Sequence, residues 1–339
     1  MKRLFERLRC VAFSALLAAA IPVSAQADPG LENLRAADMR LASIGYRLSV
    51  GAAELCDLRE PGLGIQLHTL AQYPPDQRAR VRAHFGFAGN VAVEGVVPGS
   101  PADRAGVRQD DTVAAIGGVV VPTDPTDAAS TAQYVALHDA IAALPPDKPV
   151  EVTVIRAGER LRLLLKPVPA CRTRYELRIA DNFDARANGA FVQITSKYLT
   201  DTPADLLPAL LAHELSHNIL RHAVRLDAVG AQFGLLSGFG NNVGLFRQAE
   251  MQADILAVHL LARAGYDPAI AVRFRREMGP RQIAGMVRSR SHPPLRDRIA
   301  IAEAEAAKIA AAGGKAPLPA FYAERNTPLD GNWKPLLPR

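Results

Sequence analysis

Leu211-Ala212-His213-Glu214-Leu215-Ser216-His217-Asn218-Ile219-Leu220-Arg221-His222 decides how the rest of the chain is read. On a helix, residues four apart lie one turn above each other on the same face. His213 and His217 therefore offer two imidazole nitrogens to one zinc ion, and Glu214 stands beside them to take a proton from water at the metal. The stretch has neither Pro nor Gly. Leu210, Leu211, Leu215, Ile219 and Leu220 suit a buried helix, expected over about 203–225. The bland alternative is a pair of core histidines beside a Glu, so the surroundings have to agree.

A zinc hydrolase needs three protein ligands and an open position. The remaining candidates are His222, His259, His292 and the downstream acids. The long form HExxHxxGxxH would need Gly at 220 and His at 223; Leu220 and Ala223 exclude it. His222 lies five residues past His217, about 140° around a continuous helix, which suits a supporting or capping group better than a ligand. Glu250 and Asp254 share one face of a second helix expected over about 246–264, stopped by Gly265-Tyr266-Asp267-Pro268. Glu250 is the expected third ligand. Asp254 is expected to take the free ring N–H of a ligand histidine and fix its tautomer.

The two ends and the charge bound the rest. Lys2, Arg3, Arg7 and Arg9 precede an apolar run from Val11 to Ile21, then Pro22 and Ala25-Gln26-Ala27. That order reads as a secretory signal peptide, residues 1–27, cleaved after Ala27, with an uncleaved N-terminal anchor as the alternative. The expected location is periplasmic. Without that segment's four basic residues and Glu6 the formal charge falls from +6 to +3. No Lys/Arg block accompanies it, so nothing points to nucleic acid. Cys56 and Cys171 then remain, an even pair that suggests a disulfide in an exported protein.

Residues 31–56 carry a helical apolar pattern. From about 60 to 168 the character changes to Gly-punctuated strands: Gly62-Leu63-Gly64-Ile65, Val91–Val97, Asp111…Ile116-Gly117-Gly118, then 150–156 and 160–166 joined at Gly158-Glu159. With Ser100-Pro101-Ala102…Ala105-Gly106 this order resembles a PDZ domain of the HtrA type, with Asp110 where such domains often carry Gly. The resemblance implies an extended peptide bound along the second strand, with Leu63, Gly64, Ile65 and Leu67 lining the groove and Leu137 and Ile141 facing them. Cys56 and Cys171 flank the module, so their bridge would tie its base.

His213-Glu214-x-x-His217, Glu250-x-x-Ala253-Asp254, Ala264–Pro268 and Ser291-His292-Pro293-Pro294…Arg298 together resemble the zinc metallopeptidases that include CAAX prenyl endopeptidases and HtpX heat-shock proteases. The resemblance implies an α+β fold: a mainly helical, gluzincin-type domain with a small sheet, interrupted by the β-rich PDZ module. Expected bounds are 28–58 and 170–312 for the peptidase domain, 59–169 for the insert and 313–339 for a tail. It implies one Zn2+ per chain on His213, His217 and Glu250, with Glu214 as base. His292 and Arg298 would lie near the metal, gating it or stabilising an oxyanion. Residues 190–195 resemble the family's edge strand, implying a substrate laid along them, although the usual Pro-Gly-Gly turn is missing. Expected partners are unfolded or C-terminal polypeptide segments, with peripheral association with the membrane or envelope assembly machinery. The rival expectation is a non-hydrolytic chaperone or adaptor whose zinc site is closed by His292.

Overall fold

Asp28 caps the first helix, α1 (Pro29–Gly51), accepting from the N–H groups of Gly30 (3.0 Å) and Leu31 (3.4 Å), while Pro29 has no N–H to leave unpaired. The computed structural model describes residues 28–232, 239–284, 292–314 and 316–338. The expected leader and residues 233–238 of the Gly-rich stretch 226–246 lie outside the described residues. None of the described helices is long and apolar enough to cross a membrane.

After α1 the chain enters β1 (Arg59–Gly62) and then the β-rich module. That module runs β2 (Ile65–Thr69), α2 (Arg78–Phe85), β3 (Val91–Val96), α3 (Pro101–Ala105), β4 (Thr112–Ile116), α4 (Ala132–Ala142), β5 (Val150–Arg156) and β6 (Glu159–Leu165). Its sheet is antiparallel throughout, in the order β2-β3-β4-β5-β6, around Val91, Val93, Val113, Leu137, Val152, Val154 and Leu165. The β5–β6 turn falls on Ala157 and Gly158 (φ 51° and 83°), one residue before the expected Gly158-Glu159 pair, because Arg156 and Glu159 still face each other in the ladder. Both turn residues have the positive φ that tight hairpins require.

The module returns through β7 (Val168–Cys171), antiparallel to β1, with Arg59 opposite Cys171. The Cys56–Cys171 disulfide closes this ribbon, with the two Cα atoms 5.4 Å apart. A second seam joins the module to α1. Asp110 sits at φ 68°, which explains why glycine is common there, and its carboxylate receives Arg35 of α1 at 2.6 Å. Beside it, Asp38 of α1 and Glu94 of β3 are hydrogen-bonded carboxyls in a buried setting; burial pushes Asp38 up to about 6 and Glu94 well above its ordinary value.

The chain then forms β8 (Arg174–Arg178), β9 (Ala185–Ala187), β10 (Phe191–Thr195) and six helices: α5 (Ser196–Asp201), α6 (Leu207–Ile219), α7 (His222–Ala228), α8 (Asn242–Arg263), α9 (Ala269–Ala284) and α10 (Leu295–Ala311). α6 buries Leu207, Leu210, Leu211, Leu215 and Ile219 against α8 and against Leu41, Ile44 and Leu48 of α1. Each such side chain contributes roughly 1.5–3 kcal/mol. Leu211→Ala at the centre would cost about 2–5 kcal/mol, because a void remains there.

Two sequence expectations change here. The helix read over 203–225 is two helices, broken where Arg221 turns left-handed at φ 55°. The strand at 190–195 is not an edge. β10 lies between β8, parallel to it, and β9, antiparallel to it, so the outer strands of this sheet are β8 and the short β9. The C-terminal stretch is a packed strap. Tyr322 donates to Leu55 O (3.0 Å), Arg325 pairs with Asp57 (2.8 Å), and Gln248 of α8 accepts from the N–H groups of Asp330 and Gly331.

Candidate metal centre and peptide groove

α6 and α8 pack side by side, so His213, His217 and Glu250 meet, each offering one ligand atom within 4.8 Å of the others. The two Nε2 atoms are 3.2 Å apart, and each lies 3.5 Å from a Glu250 oxygen. Two donors about 2.0–2.1 Å from a tetrahedral zinc would lie about 3.3 Å apart, so the spacing fits.

The hydrogen bonds behind these atoms make the stronger test. His213 Nδ1 lies 3.0 Å from Asp254 Oδ1, and an ionised carboxylate can only accept, so the proton is on Nδ1. His217 Nδ1 lies 2.9 Å from His222 Nδ1, and His222 Nε2 lies 3.1 Å from Gln252 Oε1. The amide oxygen accepts from His222 Nε2–H, which leaves His222 Nδ1 to accept from His217 Nδ1–H. Arg225 holds the same Gln252 oxygen at 3.1 Å. In these tautomers both Nε2 atoms point their lone pairs into the space beside Glu250, where a cation fits between them; Arg298 Nη2 lies 3.4 Å from His213 Nε2. Burial lowers His217 to about 3 and His222 further below its ordinary value, so both rings stay neutral.

Asp254 is held as an anion. Burial alone would raise its pKa, and Arg275 and Arg298 overcome it. Arg298 forks onto both oxygens (Nε to Oδ2 2.6 Å, Nη2 to Oδ1 2.8 Å), and Arg275 donates to Oδ1. Arg298 also reaches Glu250 at 3.0 Å, so its guanidinium is spent on the carboxylates around the site. His292 lies at the rim with Nδ1 3.4 Å from Glu250 Oε2, its side chain 43% exposed. Glu250 stays well below the ordinary carboxylate range; His292 and Arg298 outweigh the effect of its burial. Glu214 is buried next to the ligand pair, and burial pushes it up to about 7. His259, weighed as a ligand from the sequence, is instead paired with Glu305 at 2.7 Å away from the centre.

The motif helix also fixes the neighbouring hairpin. Asn218 accepts from Gly189 N–H (2.6 Å) and donates to Phe191 O (3.1 Å), so the β9–β10 turn is stapled to α6. Gln252, Arg225, Arg275 and Asn218 were not found from the sequence. Gln252 is two residues from Glu250, about 200° around α8, so spacing points it away from the metal; it joins through His222 only because α6 breaks. Asn218 was quoted within the motif stretch, but nothing marked the hairpin it would meet.

In the β-rich module, Leu63, Gly64, Ile65, Leu67, Leu137 and Ile141 all line one trench. β2, its floor, pairs with β3 alone, so its outer edge is free of any strand among the described residues.

Residues 175–306 match the model of the family described as Peptidase family M48, and residues 93–156 match that of the PDZ domain. The chain therefore carries a region of the M48 metallopeptidase type and a PDZ domain. M48 peptidases are zinc metalloproteases, and the His213–His217–Glu250 cluster is a candidate site for that ion in this chain. A search of curated proteins gave no match. Among solved structures, this chain is similar to an HtrA-type protease, AlgW with decapeptide, at 20% identity and a TM-score of 0.24. That match covers 33% of this chain and 30% of AlgW, so the chain spans less than a third of its length. It is also similar to the HtrA3 PDZ domain bound to a phage-derived ligand (FGRWV), at 19% identity, covering 33% of this chain and 88% of that one, TM-score 0.24.

Proposed function

We propose that this chain is an endopeptidase that hydrolyses exported or envelope proteins in protein quality control, entering the periplasm by the leader at residues 1–27. Its PDZ groove takes unfolded or C-terminal segments, and association with the membrane or envelope assembly machinery is peripheral. The observation that carries the hydrolytic reading is the pair of Nε2 atoms 3.2 Å apart, each 3.5 Å from a Glu250 oxygen. His213, His217 and Glu250 would hold one zinc, with Asp254 and His222 behind them. Zinc, when bound there, polarises a carbonyl and acidifies water.

The remaining work falls to the chain's own residues. Glu214, with a carboxyl raised to about 7, takes a proton from the attacking water and passes it to the leaving amine. His292, the partly exposed donor at the rim, faces the developing oxyanion or gates the opening, while Arg298 keeps Glu250 and Asp254 in place. The substrate strand adds to the outer edge of β9, which lies beside α6 and is held there through Asn218.

Purified protein and Glu214→Gln should each hold one zinc per chain. Casein cleavage should fall about 10²–10⁴-fold in the variant, the usual contribution of a general base. Cleavage that survives in Glu214→Gln would overturn the assignment. Zinc in both proteins with cleavage in neither would favour the closed-site chaperone reading.

A further inference from the structure

The trench in the PDZ module has a wall that the module does not make. Besides β2 and α4, it is lined by Ala42, Tyr46 and Ser49 of α1, a helix that packs on the motif helix α6. Tyr46 lies over the loop where β2 begins. A side chain at Gly64 would start 3.5 Å from Tyr46 Cε2 and only 2.2 Å from Ser100 Cβ, so glycine at φ 73° lets the loop sit between them. Arg104 is close enough to act on the Tyr46 hydroxyl electrostatically. This wall is stiff: Ser49 Oγ and Tyr175 OH are hydrogen-bonded at 3.0 Å, and α1 meets the Tyr175 ring through Gly45, where a Cβ would fall 2.5 Å from a ring carbon.

We infer that the peptide site is a composite of both domains, in which Tyr46 of the peptidase helix contacts the last residue of a bound polypeptide C-terminus. The ligand backbone lies along the free edge of β2, its last side chain is apolar and sits against Ile65, Leu137 and Ile141, and its terminal carboxylate meets the Tyr46 O–H. An aromatic ring with a hydroxyl suits this position, since its body packs while its tip donates. The proposal rests on the peptide-groove reading above and adds the residues that read the ligand from outside the PDZ module.

The test uses full-length protein and a fluorescein-labelled decapeptide enriched on it from a library of C-terminal sequences, with affinity read by anisotropy. Tyr46→Ala should weaken binding at least fivefold and Tyr46→Phe about twofold. Ala42→Phe, which adds bulk inside the trench, should abolish it. Circular dichroism and zinc content check that each variant is folded, and Ala42→Phe decides if Tyr46→Ala is not. Unchanged or tighter binding in Tyr46→Ala, or in Ala42→Phe, overturns the composite site. If wild-type protein enriches no C-terminal sequence at all, the groove reading itself fails.

Discussion

Replacing His222 with Phe tests whether the metal centre depends on the ring behind it. His222 is 1% exposed, and its Nδ1 is the acceptor for His217 Nδ1–H at 2.9 Å. Phe fills much of the same space but accepts no proton. Leaving the buried His217 N–H unpaired costs about 1–3 kcal/mol. Losing a partner that orients a ligand histidine typically weakens metal binding about 10–100-fold, or about 1.4–2.7 kcal/mol. The two estimates agree, so zinc affinity should fall by one to two orders of magnitude, measured by competition with a chromophoric chelator. His222→Gln, whose amide oxygen also accepts, should recover part of the loss. A His222→Phe protein that is folded and binds zinc within twofold of wild type would refute the tautomer argument.

The α1–module seam makes stability depend on pH. In the fold Asp38 keeps its proton up to about 6, among Glu94, Arg35 and Tyr73, whereas an unfolded Asp releases it near its ordinary value of 3.8. The native state thus binds more protons across pH 4–6, and stability falls as pH rises through that window. Asp38→Asn should raise the thermal midpoint at pH 8 and leave it near wild type below pH 4; parallel pH curves for the two proteins would count against this. Replacing both Cys56 and Cys171 with Ser frees a loop of 115 residues. The urea unfolding free energy should drop by about 2–5 kcal/mol, and reductant should then have no further effect.

Much of this was legible in residue spacing. The His213/His217 and Glu250/Asp254 pairs each obey the four-residue repeat on an uninterrupted helix, so their faces followed from the sequence. What failed did so at breaks and at neighbours in space. The 140° rotation assigned to His222 assumed one helix, but Arg221 leaves the helical region and turns the ring back onto His217. The edge reading of residues 190–195 rests on the family resemblance alone; the three-residue β9 that covers them is too short to register as a pattern. Asp110 was noted only as a departure from glycine, and nothing local shows that its partner is Arg35, 75 positions earlier. The packed C-terminal strap was undecidable from composition, since its anchors, such as Asp57 for Arg325 and Leu55 O for Tyr322, lie more than 260 positions away in the chain.

The ribbon of β1 and β7 with its disulfide has a consequence for damage. Between Cys56 and Cys171 the chain leaves the peptidase domain and comes back to it, and sulfur joins the two ends of that excursion. A protease that nicks any loop of the module leaves both parts of the peptidase domain covalently joined. The α1 segment stays tethered to the zinc-motif helices, and the broken protein runs as one species until a reductant separates it.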